Sequence, residues 1–529
     1  MQNNFSPLLF LASGAALLVA CSSAPAVSTD AASASLASST SAQLPASTDS
    51  ASPSSASSVD VSAAEAGGVP ESYKAIEFPE YKYVAPYPKD YRVQIADGIT
   101  GYIVSDRSLP LVNFAVYFEE PRVVSSQKDE AASEMVGTML RRGAGGGITP
   151  AVLDDSLEFI SASLSSGVGT FLSTFDIDCL SKDFPGMLEL SRKVLTAPAL
   201  DKSQLEIVKA NYVTAYDRRY DTPAKVLSAL KYKVNYVNSP RMWDADAEEY
   251  RKVSVDDVKR LASGVYSSRR IVFALSGDVD RDSAVVALKA FFDGWKVTPA
   301  AGKSGASSVK TPYAAPEQLG FLRKPGIYVV DRDITQANIS MNQPFVKRPH
   351  PDYYPSAVAS FILGGGTFNS RLMTRVRSDE GLAYSIRSSV GNDYRDTSMT
   401  TIALQTKVES VGLALKLIYE ELDKLAKDGP TAEELELAKR SMVESLPSLF
   451  DSPSSTAEIF AEGELLGKSD DHYLDYVKEI NAVTAEQVKA MVAKYFDKSK
   501  MTISIVAPVS KLDALKPFTV VPLDSLEFR

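Results

Sequence analysis

The chain has 529 residues, 45% of them hydrophobic, which is enough for two or more domains with their own cores. Asp and Glu outnumber Lys and Arg by 66 to 56, and the net charge of −10 argues against a nucleic-acid-binding protein, which needs a basic face. Two cysteines (Cys21, Cys179) make no disulfide framework, and two histidines (His350, His472) all but exclude a multi-histidine metal site.

The apolar run Pro7 to Ala20 falls short of the roughly 20 residues a spanning helix needs and has the length of a signal-peptide core. Leu18-Val19-Ala20-Cys21 resembles a bacterial lipobox, although the preceding MQNNF carries no Lys or Arg. The resemblance implies a signal segment over 1–21 and lipidation at Cys21. Ser22 is not the Asp that retains lipoproteins at an inner membrane, so the expected location is periplasmic, anchored to the outer membrane. Residues 22–75 are Ser, Ala, Thr and Pro with few large apolar side chains. They cannot bury enough surface to fold and are expected to form a flexible tether. Cys179, close to Ile177 and Leu180, reads as a small buried hydrophobe.

Beyond the tether the chain repeats itself. Leu205-Glu206-x-x-Lys209 returns as Leu435-Glu436-x-x-Lys439, Asp221-x-Pro223 as Asp451-x-Pro453, and Val258-Lys259 as Val488-Lys489, all with one shift of 230 (453 − 223). A constant shift over this length implies two similar domains, placed at 76–298 and 324–529 and joined by an Ala/Gly/Ser/Pro linker over 299–323. In the first, Tyr102 to Val104 and Val112 to Phe118 read as strands, while Glu130 to Arg141 and Ser203 to Arg219 read as helices. In the second, Ile327 to Val330 and Ala337 to Met341 read as strands. The stripe Val411, Leu415, Ile418, Leu422, Leu425 predicts a helix over 409–427, stopped at Gly429-Pro430. Thr431-x-x-Glu434 and Thr484-x-x-Gln487 are capping boxes that begin further helices. Strands interleaved with long helices give an α+β class.

The most distinctive stretch is Leu363 to Val390, LGGGTFNSRLMTRVRSDEGLAYSIRSSV. Gly364, Gly365 and Gly366 mark a place where a side chain would obstruct a neighbouring backbone or ligand. A helical run follows through Met373, Val376 and Arg377, closed by Gly381 as a C-cap. Leu382 to Val390 then reads as a strand with Tyr384, Ile386 and Ser388 on one face. Arg371 at the helix start and Tyr384 at the strand start can approach each other, and both offer donors to a peptide carbonyl or carboxylate.

G-G-x-x-x-S-R-L followed by R-x-x-x-G-L-A-Y resembles the second-half signature of the pitrilysin/insulinase-type zinc peptidases, in the mitochondrial-processing-peptidase-like branch. The resemblance covers roughly residues 80 to 520. It implies two homologous domains, each a mostly antiparallel sheet covered by helices, arranged as a clamshell around an extended peptide. It also implies that Arg371 and Tyr384 bind the substrate backbone. Catalytic members carry H-x-x-E-H on a first-half helix and a further glutamate ligand about 76 residues on. Aligned on Met139-Leu140, this chain has Glu134 at the first histidine, Gly137 at the catalytic base and Thr138 at the second histidine. Aligned on the Asp221-Thr222-Pro223 turn, it has Ala215 at the remaining ligand. The two anchors agree with the family spacing, and a zinc site needs about three protein ligands that this set lacks. His350, in a proline-bounded loop, and His472, at a helix start, are expected to be solvated.

The resulting expectation is a non-catalytic, substrate-binding subunit with no metal or other cofactor of its own. A zinc-bearing homologue would be its partner in a heterodimer, extended peptides its substrates, and the lipid anchor its tie to a membrane. The alternative is a scaffold or peptide-binding lipoprotein with no peptidase partner.

Overall fold

Two predominantly apolar runs, Ile271 to Leu275 and Ile503 to Ala507 with Ser504 within it, sit at the centre of the architecture. Runs of this kind, rather than alternation, belong to strands covered on both faces. In a computed structural model the described residues are 83–526, apart from 120–126, 170–171, 237–244, 266–269, 296, 298–323 and 367–368. The expected signal segment with Cys21, the tether over 22–75 and the linker over 299–323 lie outside the described residues. No helix among the described residues is long and apolar enough to cross a membrane.

The first half contributes β1 (Arg92–Ala96), β2 (Ile99–Ser105), β3 (Leu111–Glu119), β4 (Ser163–Val168), β5 (Leu172–Leu180) and β6 (Arg270–Gly277). They form one sheet in the order β1-β2-β6-β3-β5-β4. The second half contributes β7 (Gly326–Asp331), β8 (Gln336–Phe345), β9 (Ala383–Val390), β10 (Ser398–Lys407), β11 (Thr502–Ala507) and β12 (Thr519–Val520), in the order β12-β7-β11-β8-β10-β9. Without the outer strands β1 and β12, the orders β2-β6-β3-β5-β4 and β7-β11-β8-β10-β9 are the same. The parallel pairs also correspond, β2 with β6 and β7 with β11. The repeat read at a shift of 230 is therefore a repeat of topology, and each half is an α+β unit built on a mostly antiparallel sheet.

One face of each sheet packs on its own helices. Phe114, Val116, Phe175, Ile177 and Phe273 meet Leu153, Met187, Leu288 and Phe291 in the first half. Ile339, Met341, Ile402 and Ile505 meet Leu415, Ile418, Leu422 and Val492 in the second. The expected stripe lies on Val411–Asp428, with Val411, Leu415, Ile418, Leu422 and Leu425 buried and Gly429 at φ +78° as its stop. Both capping boxes form, Thr431 with Glu434 and Thr484 with Gln487. Cys179 is buried, and its burial pushes the thiol up to about 12, the behaviour of an inert hydrophobe.

The opposite face of each sheet is covered by a helix from the other half. Pro453–Leu465 lays Ala457, Phe460, Ala461 and Leu465 on Tyr102, Ala115, Tyr117, Val272 and Ala274. Pro223–Asn235 lays Val226, Leu230 and Val234 on Val330 and Val506. These two helices are each other's repeat at a shift of 230 (453 − 223; 465 − 235), each begun by a proline in its first turn. The exchange is secured by polar contacts. Glu464 accepts from Arg92 Nη2 (3.1 Å), Thr100 Oγ1 (2.6 Å) and Tyr102 OH (2.8 Å). At the other contact Thr502 Oγ1 donates to Asn235 Oδ1 (2.7 Å) in a buried setting.

Removing Glu464 takes the acceptor from the part-buried Thr100 and Tyr102 hydroxyls and leaves the half-exposed Arg92 to solvent. Glu464→Ala is expected to cost about 3 kcal/mol, read as a lower denaturant midpoint at unchanged slope. An unchanged midpoint would show that the exchanged helix is held by apolar packing alone.

Candidate functional site

The first-half helix that would carry the metal motif is Gln127–Arg142. Ala131, Ala132, Met135, Val136, Met139 and Leu140 are buried, and so are Asp129, Glu130 and Ser133, so the helix is enclosed around most of its circumference. This packing brings Gly137 against the edge strand β4. A Cβ at Gly137 would lie 2.7 Å from Gly167 Cα and 2.9 Å from the Ser166 carbonyl oxygen. The backbone-to-backbone approach leaves no room for any side chain at the position where a catalytic base would stand.

Glu134 and Thr138 are half-buried one helical turn apart, and Ala215 is exposed on Lys202–Asp217. The Glu134 carboxylate accepts from Tyr250 OH at 2.6 Å, on the short helix Ala247–Lys252. Tyr212 OH, three residues before Ala215, donates to the Glu134 carbonyl at 2.7 Å. The Tyr212 and Tyr250 rings stand 5.2 Å apart. Two phenols thus tie the three helices together where a metal would have drawn them in. Among the described residues no group of three or more His, Cys, Asp or Glu side chains converges so as to hold a metal ion. The donor set does not fit zinc, because Gly137, Thr138 and Ala215 offer nothing that replaces histidine and glutamate. Sequence reasoning missed Tyr212 and Tyr250; two tyrosines on two separate helices carry no local signal.

In the second half the Leu363 to Val390 stretch folds as a chain of departures from regular geometry. Tyr353–Ser360 is α-helical and runs into a π-turn at Phe361–Gly365. Gly364 and Gly365 face the backbone of β9: added Cβ atoms would lie 2.9 Å from Ser388 N and 3.0 Å from Ser388 O. Ser360 and Ser388 hydroxyls meet there at 2.9 Å. Gly364 and Gly365 therefore serve a close backbone approach, as their run suggested, while Gly366 leaves room for the Phe361 ring. Met373–Asp379 is again π-helical. It ends at Gly381, φ +62°, whose N–H donates to the Arg377 carbonyl while that of Leu382 donates to Val376.

Two expectations about this motif need correction. Tyr384 does not share a face with Ile386 and Ser388. Leu404 pairs Ile386 but Thr406 pairs Ala383, so β9 holds one extra residue, a bulge that turns the following side chains out of register. Ala383, Ile386 and Ser388 are buried, and Tyr384 is 84% exposed. Arg371 and Tyr384 do not converge either. Arg371 is bidentate to Glu434 (Nε–Oε1 2.7 Å, Nη2–Oε2 2.8 Å), also donates to the Gly429 carbonyl (3.2 Å), and its side chain is 10% exposed. Glu434 simultaneously caps Thr431 N–H at 2.8 Å, so the guanidinium pins the corner between Val411–Asp428 and Ala432–Glu444. The pairing holds the Glu434 carboxyl down against the burial that would raise it. Arg371 Nη1 is buried without a partner. The neighbour of Tyr384 is Arg377, whose guanidinium lies 5.5 Å from the ring centre.

The histidines divide. His350 is partly exposed, and its Nδ1 accepts from Asp352 N–H at 3.1 Å. His472 is half-buried rather than solvated, and burial, with the charges of Lys468 and Arg348, pushes its imidazole down to about 3.

Two outcomes follow from this geometry. Gly137→Ala is expected to destabilise the chain by about 1–3 kcal/mol through overpacking, seen as a lower melting temperature; equal stability would mean that the helix can lift off β4. Arg371→Ala and Glu434→Ala are each expected to destabilise, with a coupling of about 2 kcal/mol in a double-mutant cycle. Additive effects would show that the two side chains act separately.

Residues 252–442 match the family model described as the Peptidase M16 inactive domain. The chain is similar to the Bacillus subtilis protein named Uncharacterized zinc protease YmxG, 27% identical over 54% of this chain and 66% of that one. It is also similar to the Helicobacter pylori protein named Non-peptidase homolog YmxG, 27% identical over 60% of this chain and 71% of that one. The matches thus span about two thirds of these relatives' length. Among solved structures, the peptidase M16 inactive domain from Pseudomonas fluorescens superposes with a TM-score of 0.66 at 23% identity, covering 79% of this chain and 97% of that one. The duplicated sheets and the glycine, arginine and tyrosine motif thus accompany a match to the peptidase M16 inactive domain that runs from the end of the first half into the second, and a similarity to proteins named as zinc protease and non-peptidase homolog.

Proposed function

We propose that this chain is a non-catalytic subunit that holds extended peptides for a separate, zinc-bearing chain of the same family. The observation that carries the reading is the edge strand β9. Among the described residues it is the outermost strand of its sheet, the glycine segment packs on it at Ser388, and a bulge turns the Tyr384 phenol out at its start. An extended peptide adds to such an edge through main-chain hydrogen bonds, with side chains read by the groups along it. The helix Gln127–Arg142, with neither ligands nor space for a base, supports placing the chemistry in a partner. The Cys21 lipobox places both on the periplasmic side of an outer membrane in this reading.

The second reading, a scaffold with no peptidase partner, is favoured by one observation. Arg371 is committed to Glu434 and Gly429, as a structural joint would be. Tyr384 therefore carries the test. Tyr384→Phe removes one exposed oxygen and should leave melting temperature and partner association unchanged, while cleavage by the reconstituted pair falls about tenfold, the worth of one hydrogen bond in a binding site. Unchanged cleavage and unchanged peptide affinity would give the scaffold reading the field.

A further inference from the structure

The contact between the first sheet and the exchanged helix Pro453–Leu465 borders a half-open cleft of about 220 Å³, lined among others by Asn113, Asp176, Asp178, Ser276, Ser454 and Glu458. Carboxylates reach this junction from both sides. Asp176 and Asp178 come from β5, and Glu458 and Glu462, one turn apart, come from the helix. The hydrogen bonds they receive there are from neutral groups. Ser165 Oγ donates to Asp176 (3.2 Å), and Ser163 Oγ (2.9 Å) and Asn113 Nδ2 (2.5 Å) donate to Asp178. β3 adds the Tyr117 phenol and β6 the Ser276 hydroxyl. The cations nearby act on Glu462 or outside the cluster. Arg270 pairs with Glu119 and donates to the Leu465 carbonyl, while Lys468 and Arg395 act on Glu462. The charges acting on Asp176 and Glu458 are those of other carboxylates.

We propose that this junction is a proton-sensitive clasp: the helix seats on the first sheet when Asp176 and Glu458 are protonated and loosens as they ionise against each other. The clasp stands apart from the peptide-holding reading, because it concerns how the two halves are joined. The titration agrees with the geometry. Burial, reinforced by the neighbouring carboxylates, raises Asp176 to about 6 and Glu458 to about 7, and Glu462 shifts the same way. Groups raised on closure take up protons when the helix seats. The seated state therefore carries no penalty below about pH 4, the range of free carboxyls. It loses stability as pH rises through 4 to 7, and the full penalty remains above that. The apolar contacts of Phe460 and Leu465 keep the helix in place at neutral pH, so the clasp sets how often it lifts rather than whether it is bound.

Amide hydrogen exchange over 453–465 in the full chain, corrected for intrinsic rates, tests this without any substitution. Protection at pH 5 should exceed that at pH 8 by on the order of tenfold, and helices away from the junction, such as Val411–Asp428, should show no such change. The Asp176→Asn/Glu458→Gln double variant, nearly isosteric, should show equal protection at both pH values. Equal protection in the unsubstituted chain, a change in the opposite direction, a change shared by all helices, or a pH dependence that survives the double substitution would each overturn the clasp.

Discussion

Everything in this fold rests on the exchange of two helices. Each central sheet is apolar on both faces; β6 and β11 show it most plainly, with every residue from Ile271 to Ser276 and from Thr502 to Ala507 buried. A sheet buried on both faces needs two covers, and each half supplies only one to itself. The second cover comes from Pro453–Leu465 for the first sheet and Pro223–Asn235 for the second. Neither half can close its own core, so the duplicated domains are joined by the same burial that folds them. That is a stronger tie than the polar interface usual between domains of one chain.

The repeat also explains the state of the first-half helix. Gln127–Arg142 stands to β4 as the Tyr353–Gly365 segment stands to β9: in each half the helical segment that follows β3 or β8 lies across an edge strand, and in both a glycine allows contact with strand backbone. Gly137 meets Gly167 and Ser166, and Gly364 meets Ser388. A glutamate at 137 and this degree of approach exclude each other. The missing base is therefore part of the packing that seats the helix, and returning a glutamate to that position would have to separate helix from strand before it could do chemistry.

Much of this was legible in the sequence, for identifiable physical reasons. The repeat, the amphipathic helix over Val411–Asp428, the capping boxes and the glycine stops are local patterns or direct self-similarity, and local physics fixes them. The three glycines announced a close approach without saying to what. The bulge at Tyr384 could not be read, because it exists only as a mismatch between β9 and β10, strands whose register is set by the whole sheet. The Arg371–Glu434 pair was hidden for a related reason: Glu434 fits its capping box completely, and nothing local says that its carboxylate serves a second donor 63 residues away. The phenols of Tyr212 and Tyr250 around Glu134 are likewise a product of three helices meeting.

The motif from Leu363 to Val390 thus divides by physical role. Gly364 and Gly365 serve the approach to β9, its arginine pins a helix corner, and its π-turns carry the chain between them; packing accounts for each of these. Packing does not account for Tyr384. An exposed aromatic ring normally costs a chain solubility unless something covers it, and the ring emerges from a bulge, the device by which a sheet edge re-aims a side chain. The bulge costs β9 a regular pairing that Thr406 only partly restores, through its hydroxyl on the Leu382 carbonyl at 2.7 Å. A sheet that gives up pairing to expose a phenol at its edge strand is the observation on which the proposed peptide-holding role rests, because strand addition is the contact such an edge can make.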